Sequence, residues 1–347
     1  MKTVVFYQNN GTNDDIFNPH ARDNCSDPFI YLKERINALG YEVVLANEYS
    51  EVPNCAAILF FTPPFIISYK GIKGKVRWIK HLLLGNKKIV AKTIFYESCI
   101  KKGLLDKMVL MLWEGPSVSP GNYDKYLHVK FNHILTWADA YVDDIKYKKF
   151  YLPVSRQESI KEIVPFKNKK LLINISINKN SNFKRELYSE RRKTMEYFDK
   201  NFSNDFDLYG LGWNKLMQGY NYKFGCYRGS LKNKIDVLSN YKFALAYENL
   251  RDEPGYITEK IFDCLRAGTV PIYWGASNIN DYVDQAAFID RRKFRSNKEL
   301  ANFITSVSEN DYQNYVTAGQ RYLASDKFKL FLPDHFVTTV INALKLD

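Results

Sequence analysis

The chain has 347 residues, 46% of them hydrophobic, with five cysteines and a formal net charge of +12. That length and apolar content allow two domains of ordinary size, and no apolar run of about 18 residues exists to span a membrane as a helix. The charge suits nucleic acid, an anionic membrane face or an anionic nucleotide, but no single run is basic enough to choose among them.

The amino terminus, MKTVVFYQNNGTNDD, turns polar after one short strand (Thr3 to Tyr7) and does not read as a signal peptide. A polar loop over Asn10 to Asp27 leads to an amphipathic helix over Pro28 to Leu39, ended by Gly40, and a strand over Tyr41 to Ala46. Ala56 to Thr62 (AAILFFT) reads as a buried strand stopped by Pro63 and Pro64. Gly74 to Leu84 has a helical pattern with Lys75, Arg77 and Lys80 beside Trp78 and Leu82. It reads as a solvated basic helix or as one that docks on anionic lipid. Lys88 to Tyr96 reads as a further strand, and this alternation predicts a parallel sheet.

Leu112 to Pro120 (LWEGPSVSP) is a loop broken by Gly and Pro after an apolar segment, with Glu114 between Trp113 and Pro116. A carboxylate walled by an indole has its pKa raised, which suits a general base near neutral pH. His128 and His133 are five residues apart, share no helix face, and read as structural or surface residues. The five cysteines (Cys25, Cys55, Cys99, Cys226, Cys264) are odd in number and lack metal spacing, which predicts reduced thiols in a cytosolic protein.

A polar stretch around Ser155 to Lys170 reads as the linker between domains, after which the alternation restarts. Leu171 to Ser176 is a strand, about Glu186 to Asn201 a helix carrying Arg191 and Arg192, Phe206 to Tyr209 a strand, and Leu231 to Leu238 a helix. Asp205-Phe-Asp207 matches a D-x-D metal motif formally, but it leads into a strand and reads as structural. Tyr241 to Tyr282 then forms the central unit. Its parts are a buried strand (Phe243 to Tyr247), a polar loop (Glu248 to Gly255), a helix with Thr258 as N-cap and Ile261, Phe262 and Leu265 on its apolar face, and a second buried strand (Val270 to Trp274). A strand at Ala287 to Asp290 follows, then helical patterns, the last over about Asp326 to Leu344.

In open α/β sheets, ligands bind where a strand's carboxyl end meets the next helix. Glu248, Asn249, Glu259 and Lys260 crowd that edge beside a helix N-terminus, whose N–H groups and dipole favour an anion. Lys260 can neutralise a phosphate and Glu259 suits ribose hydroxyls, so the set reads as a nucleotide site handling sugar and diphosphate together. No G-x-x-x-x-G-K-[ST], no G-x-G-x-x-G after a strand and no G-x-S-x-G elbow is present, which argues against nucleoside-triphosphate hydrolysis, dinucleotide redox chemistry and serine-hydrolase chemistry.

The stretch YENLRDEPGYITEKIFDCLRAGTVPIYWG resembles the donor-site signature of the α1,3/4-fucosyltransferases, glycosyltransferase family 10, bacterial-type. The resemblance extends through LYSERR (Leu187 to Arg192), YGLGW (Tyr209 to Trp213) and YRG (Tyr227 to Gly229), and more loosely to LWEGPSVSP and PFIYLKERINALGYEV. It is strong from about 205 to 285 and weak before 110.

The resemblance implies a GT-B enzyme, α/β, with two Rossmann-like domains facing a central cleft: residues 1–155 for the acceptor, 156–330 for the GDP-sugar donor, and a C-terminal helix in 331–347 crossing back to the first. It implies transfer of L-fucose from GDP-fucose with inversion, with expected α1,3 linkage to GlcNAc or Glc of a LacNAc- or lactose-like glycan or a glycolipid. Glu259 would hold ribose hydroxyls and Lys260 the diphosphate, while Asn249 and Tyr256, with Glu248, would line the donor pocket. Arg191 or Arg192 would grip the diphosphate, with Arg192 preferred. Glu114 would be the base, although Gly115 interrupts the Glu-Pro pairing of the family. No metal or other cofactor is required, and metal stimulation is left open. With neither an amino-terminal anchor nor carboxyl-terminal heptads, the expected setting is cytoplasmic, with peripheral contact at the inner membrane face left open. The alternatives are a GT-B transferase using another nucleotide sugar, and a non-enzymatic basic module binding nucleic acid or membrane.

Overall fold

The computed structural model describes residues 2–7, 16–21, 24–46, 55–61, 95–215, 220–231 and 233–346. They fall into two compact units. The first comprises Met1–Pro19, Ser26–Phe150 and Pro333–Asp347, and the second His20–Cys25 and Tyr151–Leu332.

The first unit is built on a six-stranded sheet of order β2-β1-β3-β4-β5-β6. Its strands are Lys2–Tyr7 (β1), Tyr41–Ala46 (β2), Cys55–Phe60 (β3), Met108–Leu112 (β4), His133–Thr136 (β5) and Tyr147–Lys149 (β6), and every neighbouring pair is parallel. Strands such as MVLML are buried along their whole length, as a sheet covered on both faces requires. The helices Asp27–Ala38 and Pro333–Leu344 belong to this unit, and Tyr31 donates a hydrogen bond of 2.6 Å to Asp334. Phe29, Trp113, Phe150 and Phe336 pack ring against ring, with Phe29 and Trp113 4.6 Å apart.

The second unit carries a five-stranded sheet of order β11-β10-β9-β7-β8. Its strands are Lys170–Ile175 (β7), Phe206–Tyr209 (β8), Tyr241–Tyr247 (β9), Val270–Trp274 (β10) and Ile289–Asp290 (β11), again all parallel. The chain runs from β7 outward to β8 and returns to the other side of β7 as β9. The order therefore reverses between β7 and β9, which marks the carboxyl ends of these two strands as the place for a ligand.

Three expectations need correction. Phe95 and Tyr96, expected to end a strand, lie in a helical stretch over 95–101, in which Phe95, Tyr96 and Cys99 bury one face at helical spacing. Residues 88–94 and the basic segment 74–84 lie outside the described residues. The single carboxyl-terminal helix is two, Asp326–Lys329 and Pro333–Leu344, since Pro333 lacks an N–H and starts the second. The units divide between Phe150 and Tyr151 rather than at residue 155. Among the described residues no helix is long and apolar enough to cross a membrane.

Candidate active site

The helix Tyr188–Asn201 follows β7, and the loop 248–258 follows β9, so both rise from the carboxyl ends of the strands at the reversal. Backbone hydrogen bonds knit the two segments. Leu187 N–H donates to Asn249 O (3.1 Å), Arg251 N–H donates to Arg185 O (2.9 Å), and Glu186 bridges Leu250 in antiparallel fashion. Arg185 and Glu253 add an ion pair across the same seam. Nothing in the residue pattern of 185–187 announced this pairing, because it joins segments some 65 residues apart through backbone atoms.

Arg191 is 4% exposed, and its Nη2 donates to Tyr247 O (2.6 Å) and Glu248 O (2.8 Å). Among the described residues its other guanidinium nitrogens carry no hydrogen bond. Arg192, one residue on, turns elsewhere. Its Nη1 donates to Lys179 O (2.7 Å), and its guanidinium lies over the Tyr220 ring at 5.3 Å. The helix repeat sets neighbouring side chains about 100° apart, so only Arg191 faces the loop after β9. Arg191, and not the Arg192 preferred from the resemblance, is the one set against this loop.

Glu248 is 0% exposed. Its Oε1 accepts from Thr258 N–H (2.8 Å), and its Oε2 accepts from the Thr258 hydroxyl (2.7 Å) and stands 3.4 Å from Lys260 Nζ. This carboxylate is enclosed, which does not agree with its expected place among the groups that touch the donor. Thr258 does occupy the N-cap position of the helix Glu259–Arg266, but its hydroxyl bonds to Glu248 instead of capping the helix.

Lys260 Nζ also donates to the Thr258 hydroxyl (3.0 Å) and lies 3.6 Å from Glu259 Oε1. Lys234 Nζ reaches Asp263 (3.0 Å) and stands 3.8 Å from Glu259. Tyr256 is 2% exposed, and Asn249 is half-buried beside Glu248. Thr258 and Lys234, which look like a cap and a surface lysine in the sequence, join this cluster.

The charges are strongly coupled. Burial pushes the Glu248 carboxyl up, against the pull of Lys260. Burial alone would lower the Lys260 ammonium, but Glu259 and Glu248 outweigh it and hold the ammonium above its ordinary value. Glu259 is raised by burial and lowered more strongly by Lys260 and Lys234, to about 2. With 43% of its side chain exposed, water screens part of that attraction. The cluster thus offers an ammonium and a guanidinium beside a helix N-terminus, with one accessible carboxylate, which is a fit for a diphosphate and a vicinal diol.

Glu114 lies in the first unit, half-buried in the loop after β4. The loop is braced by Tyr123 Oη donating to Glu114 O (3.0 Å) and by Val118 and Ser119 N–H donating to Gly115 O (3.0 and 2.9 Å). Trp113 points its ring into the aromatic cluster of that unit.

Other candidates are structural. Asp207 is 2% exposed and holds Lys170, Arg228 and the Tyr241 hydroxyl at 2.6 to 2.8 Å. His128 is buried between the Tyr147 hydroxyl and Asn122 O. No group of His, Cys, Asp and Glu suited to a metal occurs among the described residues.

Residues 165–330 match the family model for the glycosyltransferase family 10 (fucosyltransferase) C-terminal domain. This stretch is a family 10 domain. The match covers β7 to β11 and therefore the whole Glu248–Lys260 cluster. Among characterised relatives, the alpha-(1,4)-fucosyltransferase of Arabidopsis thaliana is 47% identical over 73 residues, which is 21% of this chain and 18% of that protein. The alpha-(1,3)-fucosyltransferase FucT of Helicobacter pylori is 37% identical over 75 residues, 22% of this chain and 16% of that protein. The GDP-fucose protein O-fucosyltransferase 3 of Xenopus laevis is 43% identical over 77 residues, 22% of this chain and 16% of that protein. The chain thus spans less than a fifth of the length of these relatives.

Among solved structures, an alpha1,3-fucosyltransferase with GDP aligns with a TM-score of 0.52 at 14% identity, over 100% of this chain and 91% of that one. The DNA-modifying beta-glucosyltransferase aligns with 0.55 at 12% identity over the full length of both. At these identities the likeness is one of fold: two parallel α/β units of the GT-B class.

Proposed function

We propose that the protein is an inverting fucosyltransferase that moves L-fucose from GDP-fucose to a glycan hydroxyl. The observation that carries this reading is the Glu248–Lys260 cluster at the carboxyl edge of a family 10 domain, with Arg191 turned toward it. In this reading Lys260 and Arg191 neutralise the diphosphate, Glu259 accepts hydrogen bonds from the ribose hydroxyls, and Asn249 and Tyr256 line the donor pocket. Glu114 takes the proton of the acceptor hydroxyl as its oxygen forms the bond to fucose C1. The bond from C1 to the phosphate oxygen breaks on the opposite face, and GDP leaves with the electron pair. The two cations offset the charge that develops on that oxygen, so the reading requires no metal. The expected linkage is α1,3, on GlcNAc or Glc of a LacNAc- or lactose-like chain or a glycolipid, and the expected setting is cytoplasmic.

The experiment is a thermal-shift titration with GDP, UDP, ADP and CMP, with and without EDTA, followed by GDP-fucose and an acceptor panel. A ligand that binds only the folded state at ~100 times its Kd adds ~2.7 kcal/mol of stability. A shift with GDP that EDTA leaves alone, followed by fucose transfer, is the expected result. A shift with UDP alone would move the donor to another nucleotide sugar. No shift with any nucleotide would overturn the site.

A further inference from the structure

Glu248 is a charged side chain sealed from solvent in the middle of a proposed diphosphate site, where a negative charge is unfavourable unless it does something else. Its surroundings show what that is. The Lys260 ammonium donates to the Thr258 hydroxyl, which donates in turn to Glu248 Oε2, while Oε1 receives the Thr258 N–H. The hydrogen bonds all run from Lys260 toward Glu248, and the ion pair of 3.4 Å closes the triangle. Glu248 is itself anchored at both ends of its backbone, with N–H donating to Trp274 O (2.8 Å) and O accepting from Arg191 (2.8 Å).

Gly275 leaves the room for this side chain. A Cβ there would stand 2.4 Å from Glu248 Cγ and 2.5 Å from the Tyr273 hydroxyl. The other acid near Lys260, Glu259, is 3.6 Å away with 43% of its side chain exposed, which makes it the weaker anchor.

We infer that Glu248 is a positioning residue, which through Thr258 fixes the Lys260 ammonium where the donor diphosphate meets it. The inference rests on the donor-site reading above and adds to it a residue that never touches the donor. It has a distinctive sign. A buried acid acting only as a nearby negative charge would repel GDP, and its neutralisation would tighten GDP binding. A positioning acid does the reverse.

The test measures GDP affinity by calorimetry for the wild type, Glu248→Gln, Lys260→Met and the double variant. Glu248→Gln is expected to weaken GDP binding about tenfold or more, as for the loss of one charge-assisted hydrogen bond. In the Lys260→Met background the same change is expected to move affinity less than about twofold, since coupled residues are non-additive. Unchanged or tighter binding in Glu248→Gln, or full additivity, would overturn the proposal. Should Glu248→Gln not fold, Thr258→Val interrupts the same relay, and wild-type affinity in that variant overturns it equally. A second readout needs no nucleotide: the NMR signal of isotope-methylated Lys260, assigned by its absence in Lys260→Met. Its titration is expected to move to lower pH in Glu248→Gln or Thr258→Val. If it moves while wild-type protein ignores GDP, the donor reading fails and the positioning stands. If it does not move, the positioning fails.

Discussion

The two arginines of the Ser-Glu-Arg-Arg sequence show how much one step along a helix decides. Arg191 and Arg192 are both buried, yet one holds the carbonyls of Tyr247 and Glu248, where β9 passes into its loop, and the other a carbonyl at Lys179. Replacing a guanidinium by an ammonium keeps the charge and removes the planar fork that suits a diphosphate. Arg191→Lys is therefore expected to weaken GDP binding about tenfold, and Arg192→Lys to change it by less than about twofold, both read by calorimetry. The reverse order would restore Arg192 to the site. In the proposed reading Glu114 serves the chemistry and not GDP binding, so Glu114→Gln is expected to lower transfer by about a hundredfold or more with GDP affinity unchanged. Near-normal turnover would remove it from the role of base.

Among the secondary elements, the turns at the foot of the second sheet depend on one buried cation. Lys169, just before β7, is 5% exposed and donates to Ser239 O (2.5 Å) and Gly268 O (3.1 Å), with Tyr241 O at 3.5 Å. It thus ties the segment ahead of β9 to the turn ahead of β10. Burial lowers its pKa from 10.5 to about 8. Between those values the unfolded chain binds more protons than the folded one, so stability rises with pH from about 8 to 10.5. At about 1.4 kcal/mol per pH unit the full contribution is roughly 3 kcal/mol. Urea unfolding at pH 8 and pH 10 is expected to show a rise in the wild type relative to Lys169→Met. Parallel pH profiles for the two proteins would contradict it.

Across the whole chain, the two α/β units differ in how far their sites can be read. The first three strands of the first unit and all five of the second stand within a residue or two of their expected bounds, since short runs such as VVFY, AAILF and FALAY suit a buried parallel strand. The charged cluster after β9 was legible because Glu248, Glu259 and Lys260 lie within 13 residues of one another in a single strand–loop–helix. The failures have common causes. A helical face over 95–101 was hidden in an apolar run too short to show its period, and Pro333 divided a pattern that otherwise read as one helix.

What local residue order determined, then, is the alternation of strands and helices, the family resemblance of the second half and the identity of the charged groups after β9. Each of these follows from neighbours in the chain, through periodicity, capping and turn chemistry. Only the tertiary structure decided which of those groups face one another. Glu248 is sealed by Thr258 and Lys260, Arg191 instead of Arg192 meets the β9 loop, and the segment 185–187 pairs with 249–251. The physical reason is that burial and hydrogen-bond partnership are set by packing between segments distant in sequence, whereas propensity and spacing describe one segment at a time.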